Sequence, residues 1–76
     1  MKRYFFNIRG DGYEETDVVG KNCKNEIAAL SEAMAIASGI VHDRMAALHV
    51  AHVGSIEVED EQHNMVLSLP LRAAAY

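Results

Sequence analysis

Hydrophobic and polar residues alternate at the start of the chain, recur at helical spacing through its middle, and alternate again towards its end. Arg3-Tyr4-Phe5-Phe6-Asn7-Ile8-Arg9 is dense in strand formers. A period of two puts Tyr4, Phe6 and Ile8 on one face and Phe5, Asn7 and Arg9 on the other. Gly10-Asp11-Gly12 supplies the turn chemistry that ends this strand. The polar stretch from residue 13 to residue 24, punctuated by Asp17 and Gly20, reads as an ordered loop with a short extended piece at 16–19.

Asn25 is a suitable N-cap, and the charge of Glu26 suits the first turn of a helix. Helical periodicity then runs to about residue 48. On a wheel at 100° per residue, Leu30, Met34, Val41, Met45 and Leu48 fall within roughly 60° of Ile27, which predicts a core stripe. Ala29, Ala33, Ile36, Ile40 and Ala47 form a second stripe centred about 150° from Ile27. The apolar arc is then about 180° wide, where about 100° covers one small sheet. A helix this apolar has two things to pack against. The second stripe is therefore expected to be a homodimer interface, its small residues allowing close approach of a second copy. The alternative is that it lies under the 13–24 loop. Strand addition at a bare sheet edge is a rival dimer mode. Gly39 falls on the polar arc.

Beyond the helix, Ile56 and Val58 alternate with Glu57 and Glu59, and Met65, Leu67, Leu69 and Leu71 alternate with Val66, Ser68 and Pro70. The polar link Glu61-Gln62-His63-Asn64 predicts a hairpin between strands at 55–60 and 65–71. The sum is an α+β domain over residues 1–76 with the order β-α-β-β. A right-handed crossover predicts a three-stranded sheet in the order 1-3-2, with one long helix on one face.

Charge and composition narrow the function more than they define it. The chain has 76 residues, half of them apolar, with 7 Lys and Arg against 11 Asp and Glu. The net charge of −4 disfavours non-specific binding to nucleic acid. Lys2, Arg3, Arg9, Lys21 and Lys24 nevertheless gather near the first strand and the loop. A single cysteine, Cys23, cannot form an intrachain disulfide and fits a reducing cytoplasm. The start of the chain predicts no signal peptide, and no apolar run reaches the length of a membrane span.

Arg3-Tyr4-Phe5-Phe6-x-Ile8-Arg9 followed by Gly12, then Asp17-x-x-Gly20 and Ala29-x-x-Glu32-Ala33, resembles a family of small uncharacterised alphaproteobacterial proteins, a domain of unknown function. Val58-x-Asp60 and Leu67-x-Leu69-x-x-Arg72 resemble that family's acidic hairpin and tail. The resemblance implies a bacterial cytosolic protein of this fold and no mechanism. Asn7 stands where the family usually has histidine, and Asn25 where aspartate is common. At the level of the fold alone, the extended start, the Asp-x-x-Gly loop and the Ala/Glu-rich helix are similar to small antitoxin domains of the HicB type.

Candidate chemistry is sparse. His42, His49 and His52 could share a helix side, with Asp43 or His63 completing a metal site, but zinc needs three or four placed ligands. The alternative is solvated histidines near a helix C-terminus. Cys23 lies between Lys21 and Lys24, which would lower a thiol's pKa, yet no base or oxyanion pocket accompanies it. Glu14, Glu15 and Asp17 form an acidic cluster in a fold that offers little cleft for acid–base work. Gly10-Asp11-Gly12 is too short for a phosphate cradle. The expectation is a non-enzymatic interaction module without a cofactor, homodimeric or bound to a further protein partner. An antitoxin- or regulator-like protein binding protein or nucleic acid is one alternative, and a histidine-based metal or small-ligand binder is another.

Overall fold

The computed structural model describes residues 1–10, 13–43 and 54–71. The elements are β1 (Lys2–Gly10), β2 (Tyr13–Glu15), β3 (Lys21–Cys23), α1 (Glu26–Asp43), β4 (Ser55–Glu59) and β5 (Met65–Pro70). They form one helix on a five-stranded sheet in which every pairing is antiparallel. The path across it is β2-β1-β4-β5, and β3 also pairs with β1.

The expected loop at 13–24 is instead an interrupted edge strand. β2 pairs with the end of β1, Ile8 opposite Glu15, and β3 pairs with its beginning, Tyr4 opposite Lys21. Between those pairs the three residues 5–7 of β1 face the five residues 16–20, so two extra residues bulge from the edge. This return path overturns the expected order 1-3-2. It carries the chain back to the start of β1, where Cys23 lies opposite Lys2. Starting there, the helix returns the chain to the other end of β1, so β4 enters beside Arg9 and runs antiparallel to β1. The crossover rule governs parallel strands and does not apply to this connection. The hairpin of β4 and β5 forms as its alternation predicts, with a register shift at Val58/Glu59.

The core lies between sheet and helix. Tyr4, Phe6, Ile56, Val58 and Leu71 are buried against Ala29, Ala33 and Ala37 of α1. Ile36 and Ile40 pack on the same cluster. The two helix stripes therefore exchange the roles expected of them. Ala29, Ala33, Ile36 and Ile40, expected as a partner interface, face the chain's own sheet; Ala47 lies outside the described residues. Ile27, Leu30 and Met34, expected as core, are 79%, 39% and 52% exposed. Volume explains the exchange: β1 presents two large rings, Tyr4 and Phe6, and a row of alanines lets the helix axis settle close to them at interior packing density.

Candidate interaction surface

Among the described residues, two groups of apolar side chains stand exposed, and both follow from how the chain is held locally. The first is the outer side of α1. Asn25 caps this helix as expected: its Oδ1 accepts from Ala28 N at 2.9 Å, and its carbonyl accepts from Ala29 N. With the alanine row turned inwards, Ile27, Leu30 and Met34 at spacings of i, i+3 and i+7 must point away from the sheet. From Ile27 to Ile40 the helix carries a single charged side chain, Glu32. It is bound by Lys21 Nζ of β3 at 2.8 Å. That pairing, first through the hydrogen bond and then through the carboxylate charge, raises the Lys21 pKa.

The second feature is the bulge at Asp17-Val18-Val19-Gly20. Asp17 Oδ2 accepts from Phe6 N at 3.1 Å, and its Oδ1 accepts from Val19 N and Gly20 N at 3.0 Å each. Asn7, the buried polar residue of β1, accepts from Asp17 N at 2.9 Å. Burial pushes the Asp17 carboxyl up, and the donors Gly20, Phe6 and Val19 pull it down further, leaving it below the usual aspartate value. Gly20 sits at φ 76°, where a Cβ would come within 3.0 Å of Arg3, Phe5 and the Tyr4 carbonyl. Arg3 Nη1 donates to the Val19 carbonyl. This scaffold holds Val18 and Val19 outwards, 83% and 69% exposed.

The candidate chemical groups are dispersed. Glu14 pairs with Arg9 at 3.1 Å, Arg9 also pairs with Glu57 at 3.0 Å, and Asp17 is committed to the bulge. Cys23 is buried and free, and the amine of Lys21 is turned to Glu32. His63 meets Glu59 at 3.5 Å and lies with its ring 5.8 Å from Phe5. His49 and His52 lie outside the described residues, as does the side chain of His42. Among the described residues no group of three metal-ligating side chains converges, and no helix is long and apolar enough to cross a membrane.

One helix packed on an antiparallel five-stranded sheet defines a small α+β fold. Over residues 3–72 the chain matches the family described as Domain of unknown function (DUF6894), and it belongs to that family. No curated protein and no solved structure matches it.

Proposed function

We propose that this chain is a non-enzymatic interaction module of the bacterial cytosol that joins a second copy of itself through the outer face of α1. The observation that carries this reading is the exposed row Ile27, Leu30 and Met34 on a helix whose alanine row is buried against the chain's own sheet. A surface helix normally turns a charged face to water. Here the only charge between Ile27 and Ile40 is neutralised within the chain, so two copies meeting about a two-fold axis bring no like charges together. An interface of standard size covers about 800 Å² per partner, which the length of the helix, about 27 Å, can supply together with its flanks. The buried free thiol of Cys23 suits a reducing compartment.

A second protein partner is the natural use of the Val18-Val19 tip, because a protrusion held by Asp17 loses little entropy on docking. Nucleic acid fits less well: Arg3, Arg9 and Lys21 already have partners within the chain. Sedimentation velocity of a Leu30→Glu/Met34→Glu variant tests the proposal. A folded monomer, with the circular dichroism spectrum of the parent dimer, is expected. A variant that stays as dimeric as the parent would overturn the assignment of this face. Zinc bound by the purified protein would instead favour the histidine reading and single out His42, His49 and His52.

A further inference from the structure

We propose that the recess between the start of β1 and the N-terminus of α1 binds the oxyanion group of a small ligand. The return of the chain through β3 puts Cys23 opposite Lys2, and α1 begins three residues later. The resulting recess of about 400 Å³ is lined by Lys2, Tyr4, Lys24, Asn25, Glu26 and Ile27. That volume lies within the range of small-molecule sites.

Three observations converge there. Tyr4 is 3% exposed, yet its hydroxyl has no hydrogen-bond partner among the described residues. No fully buried side-chain oxygen or nitrogen of those residues is left unpaired, so this hydroxyl reaches the surface, and Tyr4 lines both this recess and the adjoining one beside Asp60, Glu61 and Gln62. A phenol that brings its donor to the edge of a buried ring is poised to bind something there. The described cations point to the same place. Arg3, Arg9 and Lys21 each have a partner within the chain. Lys2 and Lys24 have none among the described residues, and both line this recess. Finally, Asn25 satisfies the Ala28 and Ala29 N–H groups, while those of Glu26 and Ile27 belong to the first helical turn, which has no intrahelical acceptors. The positive end of the helix dipole therefore faces the same space.

The ligand chemistry follows from these groups. Two ammonium groups, one hydroxyl donor and free backbone N–H groups all stabilise a phosphate or a carboxylate. Glu26 on this wall, and Asp60 and Glu61 in the adjoining recess that shares Lys2, Tyr4 and Glu26, weaken the site. A polynucleotide is the poorer fit, because two free lysines on a chain of net charge −4 offer no track for successive phosphates.

The test is a titration of ¹⁵N-labelled protein with inorganic phosphate, with acetate, and with sodium chloride at matched ionic strength. Saturable shifts at the amides of residues 24–27 with phosphate or acetate are expected, and the better of the two names the anionic group. Tyr4→Phe is expected to weaken binding about tenfold, as loss of a hydrogen bond to a charged group does. Its melting temperature should stay at the parent value, because the hydroxyl has no partner to lose among the described residues. Lys24→Gln should weaken binding and Glu26→Gln should tighten it. Shifts that chloride reproduces, equal binding by Tyr4→Phe, or a marked fall in the stability of that variant would each overturn the proposal.

Discussion

Replacing Asp17 with alanine removes the acceptor for three backbone N–H groups at once, those of Phe6, Val19 and Gly20. A hydrogen bond to an ionised group contributes about 1.5–3 kcal/mol when it is shielded from water, and less when it is exposed. The bonds to Phe6 and Gly20 are partly buried and the bond to Val19 is exposed. The expected cost is therefore about 2–4 kcal/mol rather than the full sum. A domain of this size has a total stability on the order of 4–11 kcal/mol, so the variant should sit close to unfolding. Urea denaturation reads this directly: with a slope of about 1 kcal/mol per molar, the midpoint should fall by about 2 M or more. Asp17→Asn keeps one carbonyl oxygen and should fall between the two. A shift under about 0.5 M in the alanine variant would refute the idea that Asp17 organises the edge strand. The pH dependence has a fixed sign. The folded carboxyl is more acidic than in the unfolded chain, so its contribution is present above the ordinary aspartate value of 3.8 and is lost as pH falls through the lower folded value. The stability gap between parent and Asp17→Ala should accordingly hold from pH 7 to about pH 5 and shrink below about pH 4.

Four further substitutions probe the rest of the fold. Gly20→Ala places a Cβ at φ 76° against Arg3, Phe5 and the Tyr4 carbonyl, and should cost about 1–3 kcal/mol in the same denaturation assay. Gly39→Ala, where an added Cβ meets nothing within 4 Å on a helix, should stabilise by about 0.5–1 kcal/mol, seen as a rise in melting temperature. Ala33→Leu forces a larger side chain between α1 and the sheet, where Ala33 is fully buried. It should lower the melting temperature sharply, whereas Met34→Leu on the outer face should leave it nearly unchanged.

Much of this fold is legible in the chain. Period two in residues 3–9 identifies Tyr4 and Phe6 as core, the alternation at 56–59 identifies Ile56 and Val58, and Asn25 is the helix cap its side chain suggests. The edge strand is not legible, because β2 and β3 are three residues each and mostly polar, too short to show a period. Its one signal is Asp17-x-x-Gly20: an acceptor three residues before a glycine free to take positive φ marks a bulge rather than a loop. Missing that return path leads directly to the wrong strand order. The exchange of the helix stripes has a different origin. Ranking faces by side-chain size favours Ile27, Leu30 and Met34 for the interior, but the partner surface decides, and a sheet carrying Tyr4 and Phe6 takes alanines at the closest approach, with Ile36 and Ile40 packing beside them. The recess at the start of α1 depends on β3 pairing with β1, so Tyr4, Lys2 and Lys24 come together only in the folded chain.

The proposed function requires, before any face is assigned, that two copies of the chain join. Native mass spectrometry of the untagged protein at two concentrations tests it most directly, since it reports subunit count and any bound metal or small ligand together. A dimer whose fraction rises with concentration is the predicted result; a monomer at both concentrations would contradict it.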